Sequence, residues 1–143
     1  MSSDLQTIQA SIVTALSTAM PTVEVRAWEA DAIERELLES LLPIIVWVGD
    51  LQPRETRRAA PVAVVTKATL EVMLHRAPLM DATDTPVTHL AEDVLEAIEG
   101  KEFTCPNGFA VMELNGSRGW DYQPGGVRES LALRFDAVGE IAL

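Results

Sequence analysis

The spacing of apolar and polar positions predicts helices and strands along most of the chain. Apolar side chains recur every three or four residues from 5 to 16, with mainly polar side chains between them, which indicates an amphipathic helix. Ser3 and Gln6 have the spacing of a capping box at its start, and Pro21 ends it. The chain therefore opens on a helix that buries one face.

Two strands and a second helix are predicted next. Residues 23–28 alternate between the two sides of a short, half-buried strand. Residues 30–42 repeat apolar side chains at helical intervals and predict a helix that Pro43 ends. Residues 44–48 are apolar and mostly β-branched, which favours a central strand covered on both faces.

The longest strand signal begins at Val62. One face is predicted to carry Val62, Val64, Thr66, Ala68, Leu70, Val72 and Leu74, and the other face Lys67, Thr69, Glu71 and His75. At the rise of an extended chain this strand would run roughly 43 Å. Because that is longer than a domain of this size needs, we expect part of it to project past the core or to pair with another subunit.

The second half of the chain predicts one more helix and two more strands. After a turn-rich connection over 77–86, Thr88 is predicted to cap a helix that Gly100 ends. Residues 109–114 and 131–137 have the pattern of strands. Between them, 115–126 contains four glycines and a proline around two aromatic residues, which indicates a long loop or a wide hairpin connection.

The order of elements predicts an α+β fold. We expect one domain over residues 1–143, with a mainly antiparallel sheet of four to five strands and two or three helices packed on one face. A chain of 143 residues can bury a core without disulfides or a metal. No internal repeat or linker divides it.

The net charge of the chain limits which kinds of partner it can bind. The chain has 22 acidic and 11 basic residues and a net charge of −11, so we expect it to bind neither nucleic acid generally nor an anionic membrane. The single cysteine favours a reducing compartment. No segment has the pattern of a signal peptide or a membrane span, so we expect assembly in the cytoplasm.

Catalytic, metal and cofactor sites are not predicted. His75 and His89 lack further ligands at a recognisable spacing. Cys105, placed in a loop with Pro106, lacks a neighbouring base. Asp81 and Asp84 suit turn roles, and the glycines of 115–119 do not form a phosphate-binding loop.

Three features are candidates for a protein interface. The first is a polar loop over 49–61 that carries Arg54, Arg57 and Arg58, whose guanidinium groups could pair with carboxylates on a neighbour or simply face solvent. The second is the end of the long strand, at Met73 and His75. The third is the aromatic pair Trp120 and Tyr122, which suits either an interface or local packing.

The sequence resembles a family of phage proteins along nearly its whole length. The segments that carry the resemblance are, in order, LSTAMP, VEVRAW, IIVWVGD, PVAVVTKATLEVML, HLAEDVLEAIEG and ESLALRFDAV. Together they look like the tail-terminator proteins of tailed bacteriophages, in particular the group in Mu-like phages and prophages.

The resemblance implies a structural protein without enzymatic activity. Tail terminators form a ring, commonly a hexamer, that caps the tail tube, stops its polymerisation and provides the head–tail joining surface. The implied partners are other copies of the chain, the tail tube protein and head–tail connector proteins. DNA would pass through the ring only as cargo, and an acidic lining would let it slide. The implied location is the virion, at the head–tail junction.

Three other functions stay open at this point. A head–tail adaptor or connector would share the small α/β build and would bind the portal side. A small acidic inhibitor or immunity-type protein would be monomeric or dimeric and would block one basic target. An enzyme that uses Cys105 or His89 would need a catalytic constellation that the sequence does not show.

Overall fold

The first helix forms where the sequence predicts it. The computed structural model describes residues 3–28, 39, 42–59, 62–77, 86–115, 120–123 and 129–143, with the backbone alone at 59, 62 and 120–123. Helix α1 spans Asp4–Ala19. The Ser3 hydroxyl accepts the Gln6 N–H at 3.2 Å, and the Gln6 side-chain oxygen accepts the Ser3 N–H at 3.1 Å. The predicted capping box is therefore confirmed.

Eight strands and a second helix follow in the described part of the chain. The strands are β1 (Glu24–Ala27), β2 (Ile44–Val48), β3 (Gln52–Ala59), β4 (Val62–Arg76), β5 (Glu102–Cys105), β6 (Gly108–Leu114), β7 (Trp120–Gln123) and β8 (Glu129–Ala142). Helix α2 (Val87–Ile98) lies between β4 and β5. Neither helix is both long and apolar enough to cross a membrane, within the ranges given above.

The sheet is built around two long antiparallel strands, β4 and β8. They pair from Val64 opposite Ala142 to Arg76 opposite Glu129. On its other side β4 pairs with β3 and β2, one after the other. In the same way β8 pairs with β6 and β7. The parallel strand β1 lies beyond β2, and β5 lies beyond β6.

The α+β class and the mainly antiparallel sheet are confirmed, but the strand count is wrong. Eight described strands replace the expected four to five, because β3, β5 and β7 were not predicted as strands. β3 is polar on both faces, β5 and β7 have four residues each, and β7 lies inside a glycine-rich segment. β3 shows no alternation, and that of β5, with Phe103 and Cys105 on one side, is too short to indicate a strand. The helix predicted over 30–42 lies outside the described residues except for Glu39, which is helical, and Leu42, which is not.

The long strand is flanked on both sides by strands of its own chain, so little of its edge is left to pair with another subunit. β4 has partner strands of its own chain on both sides along nearly all of its length. The predicted alternation is correct from Ala68 to Leu74. Before Ala68 it is shifted, and Val65 is buried instead of its two neighbours. The cause is a register shift against β8 between Val65 and Lys67. Because of this shift, the side chains before Lys67 point to the opposite face from the one that a regular alternation would give them.

Both helices pack on one face of the sheet, here called the helix face. Alternate residues of β4 and β8 on this face are buried with the apolar stripes of α1 and α2 in one cluster. The outer face carries the intervening residues. There Trp47 of β2 is also buried, and its ring meets Trp28 edge-on with 5.8 Å between centroids. Four consecutive buried residues, 45–48, confirm that β2 is covered on both faces.

The start of α2 is capped by a distant strand. Thr88, the predicted cap, is already inside the helix, and Pro86 is the cap residue without a capping side chain. Instead the Glu129 carboxylate of β8 accepts the N–H of Val87 at 2.9 Å. It also lies 3.7 Å from the Arg76 guanidinium, and both side chains are largely buried. At the other end Gly100 has φ +70°, a left-handed conformation that confirms the predicted stop.

We predict that Glu129→Ala lowers the free energy of unfolding by about 3 kcal/mol, because breaking a buried ion pair leaves its partner's charge uncompensated. Urea unfolding measures this loss. Glu129→Gln keeps an acceptor for Val87 and should lose less. Glu113→Ala, at an exposed position of β6, is the control. Equal stability of the Glu129→Ala and Glu113→Ala variants would contradict the structural role.

Candidate protein-binding edge

Strand β3 is the most exposed element of the sheet. Every residue from 52 to 58 is exposed, although β3 is hydrogen-bonded to β4 over residues 62–69. No described strand pairs with the other side of β3. The loop predicted over 49–61 is therefore wrong over most of its length. An edge strand with solvent on both faces has no alternation from which the sequence could reveal it.

A buried glutamine of α1 fixes the point where β3 begins. Gln9 is 8% exposed, and its side-chain amide donates to the carbonyl oxygens of Val48 and Gly49 at 3.1 Å each. The same nitrogen lies 3.2 Å from the Asp50 carboxylate. On the sheet side, the N–H of Gly49 donates to the carbonyl of Glu71 at 2.8 Å. The short connection from β2 to β3 is thus held from two directions.

The edge of β3 is irregular. Its pairing with β4 shifts register twice, between Pro53 and Glu55 and again between Glu55 and Thr56. Bulges, proline and charged side chains are the devices that keep an edge strand from adding to another sheet. We infer that β3 offers a partner its side chains rather than a continuous row of backbone groups.

The three arginines of β3 do not form a single patch. Arg54 lies on the outer face, where it donates to the Thr69 hydroxyl at 2.9 Å. Arg57 also lies there and pairs with Glu140 at 2.8 Å, with both side chains more than half exposed. Arg58 is next in the alternation and so turns toward the helix face. It makes no ion pair with a described residue.

A groove of about 650 Å³ runs beside β3 on the outer face. Arg54 and Met73, two of the predicted interface residues, both line it, together with Trp28. Its floor carries a 2.6 Å ion pair between Arg134 and Glu71. Charges of both signs line the groove, which suits a polar protein segment better than an apolar ligand.

The other predicted interface residues lie elsewhere. His75 is near the end of β4, and its ring lies 3.6 Å from the Glu39 carboxylate. Trp120 and Tyr122 are on β7, where their backbones pair with Leu133 and Leu131. The loop or wide hairpin predicted over 115–126 thus contains a strand. The side chains of Trp120 and Tyr122 lie outside the described residues.

No group of three or more His, Cys, Asp or Glu side chains could hold a metal ion in the ranges that the structure covers. The prediction that Cys105 lies in a loop is wrong, because Cys105 is the last residue of β5. Burial, with the nearby negative charge of Asp4, raises the pKa of its thiol. The thiol is therefore less reactive than an ordinary cysteine.

Several residues of this region carry no signal in the sequence. Gln9 follows the buried Ile8 in the pattern of α1 and looks like any polar helix position. Arg134 and Glu140 alternate with buried residues of β8, so the sequence indicates only their face. Their partners depend on the pairing of β4 with β8, which spacing alone does not give.

The sequence matches neither a protein-family model nor a curated protein.

We predict that Gln9→Leu lowers the free energy of unfolding by about 1–3 kcal/mol, because the buried Gly49 carbonyl loses its Gln9 donor. The Val48 carbonyl keeps the N–H of Trp28. Ser17→Leu places the same side chain at an exposed position of α1 and should change stability by less than about 0.5 kcal/mol. Urea unfolding compares the two variants. Hydrogen exchange of β3 should also accelerate in Gln9→Leu alone. Unchanged exchange would show that Gln9 does not position β3.

Proposed function

We propose that this chain is the subunit of a non-enzymatic ring that caps the tail tube of a tailed bacteriophage. In this role it ends tube polymerisation and provides the surface to which the head is joined. The subunits would bind each other, the tail tube protein and the head–tail connector proteins. Assembly would take place in the host cytoplasm, and the finished ring, by the resemblance a hexamer, would belong to the virion.

The segments that carry the resemblance support this proposal. IIVWVGD contains β2, and PVAVVTKATLEVML makes up most of β4. HLAEDVLEAIEG contains most of α2, and ESLALRFDAV opens β8. The three strands are neighbours in the sheet, in the order β2, β4, β8, and α2 packs on that sheet. The resemblance therefore rests on the parts of the chain that determine the fold.

The observation that carries the proposal is the basic edge strand on an acidic protein. β3 is exposed from 52 to 58 and holds three of the 11 basic residues of a chain whose net charge is −11. Arginine is the residue best suited to carboxylate recognition, because its planar group donates two parallel hydrogen bonds. An exposed strand with this composition favours contact with an acidic protein surface, as a ring subunit requires.

The charge of the remaining surface agrees with a channel for DNA. Repulsion between acidic side chains and phosphates lets a duplex pass without binding. We therefore propose that acidic side chains line the ring. A ring structure with basic side chains concentrated in its lumen would contradict this part of the proposal.

We predict that replacing Arg54, Arg57 and Arg58 together by Ala weakens ring formation or tube capping at least tenfold. Particle mass in solution, alone and with the tail tube protein of the same phage, measures assembly, and negative-stain imaging shows the particles. The control is Arg26→Ala, which removes exposed positive charge outside β3. If the triple variant and the control assembled equally well, the proposal that the arginines of β3 make assembly contacts would be wrong.

The behaviour of the unmodified chain separates the alternatives. Six-fold rings bound to the tube end support a terminator, while binding to the portal side instead supports an adaptor. A monomer at all concentrations, without tube binding, would reject the ring. The acidic composition would then favour a small inhibitor of a basic target.

A further inference from the structure

The charges of β3 differ in sign from those of a second exposed surface on the same chain. β3 contains three arginines and one glutamate. Helix α2 contains no lysine or arginine, and it exposes Glu92, Asp93 and Glu96. The chain continues from α2 through Glu99 and Lys101 to Glu102 at the start of β5, all of them exposed. We name residues 92–102 the acidic flank.

The two surfaces lie on different parts of the domain: helix α2 packs over β4 and β8 from the helix face, while β3 lies at the edge of the sheet beyond β4. β3 borders β4, whereas the acidic flank is hydrogen-bonded to β6, which borders β8. The N–H of Gly100 donates to the Met112 carbonyl at 2.7 Å, and the N–H of Leu114 donates to Glu99 at 2.6 Å. No ion pair joins the basic and acidic surfaces within one copy, among the residues that the structure describes.

We infer that β3 of one copy docks on the acidic flank of a second copy. This inference rests on the proposed ring and names the contact between its subunits. The occupant follows from charge complementarity, since the acidic flank of an identical chain supplies the carboxylates that β3 lacks. The interface joins two different surfaces, so every copy keeps one of each for the next neighbour. Contacts of this kind close into rings when the rotation between subunits allows it.

The contact is made by side chains. The double register shift of β3 interrupts its outer edge, so a second sheet would find no regular ladder there. Arg54 and Arg58 lie on opposite faces of the strand and would hold the acidic flank from both sides. Arg58, which makes no ion pair with a described residue, gains the most from the contact.

Charge reversal tests the contact from each side. Variant B carries Arg54→Glu with Arg58→Glu and leaves the Arg57–Glu140 pair intact. Variant A carries Glu92→Lys with Glu96→Lys and leaves the Glu99 hydrogen bond intact. Each should raise the concentration at the assembly midpoint at least tenfold, as measured by light scattering coupled to size exclusion. The single reversals Arg26→Glu and Glu113→Lys, at exposed positions outside both surfaces, should leave it unchanged.

Restoring assembly by combining the variants distinguishes loss of the contact from a folding defect. A chain that carries all four substitutions has both surfaces reversed and should assemble like the unmodified chain. An equimolar mixture of variants A and B should also assemble, because acidic β3 then meets a basic flank and basic β3 an acidic one. Circular dichroism and thermal unfolding should match for all variants. Raising salt from 0.05 to 0.5 M should weaken assembly of the unmodified chain.

The outcomes distinguish this inference from the proposed function. An unmodified chain that forms rings which neither variant disturbs would overturn the contact and leave the ring in place. Variants that fail to assemble and are rescued by neither the combined chain nor the mixture would also overturn it. A chain that stays monomeric at every concentration would overturn the proposed ring itself, and the contact with it.

Discussion

The pairing of β4 with β8 is the interaction on which the rest of the structure depends. Each strand presents alternate residues to the helix face, and these residues form the floor on which α1 and α2 pack. Each strand is also long enough to hold two shorter strands in succession on its outer side. Without this pair the helices would have no common surface, and neither β3 nor β6 would have a place in the sheet. The pairing of β4 with β8 therefore positions both β3 and the acidic flank.

Two buried polar contacts connect that ladder to the helices. Glu129 joins β8 to the start of α2 and to Arg76 at the end of β4. Gln9 joins α1 to the connection between β2 and β3. Unlike apolar packing, such contacts specify one position, because a shifted arrangement would leave buried polar groups without partners. The hydrophobic cluster stabilises the layers, and these two residues fix where α2 and β3 begin.

The sequence predicts the elements whose side chains differ between two faces. Helix α1 and strands β2, β4 and β8 each bury one or both faces, so their apolar spacing reports their structure directly. The sequence does not predict β3 for the opposite reason: both of its faces are in solvent, so apolar and polar residues do not alternate along it. The register shift near Val65 escapes prediction because it depends on how β4 meets β8, which only the folded chain determines. For the candidate interface, composition indicates the arginines, but their division between two faces requires the pairing with β4.

The placement of the three arginines on two faces of β3 limits which partners can bind the strand. A flat partner on the outer face would reach Arg54 and Arg57 but not Arg58, so a partner that engages all three must straddle the edge. Arg57 is already paired with Glu140, yet an exposed ion pair of this kind contributes only about 0–1 kcal/mol. Exchange of Glu140 for a partner's carboxylate therefore costs little. Arg54 and Arg57 are held before binding by Thr69 and Glu140, and Arg57 can exchange Glu140 for a partner's carboxylate on contact.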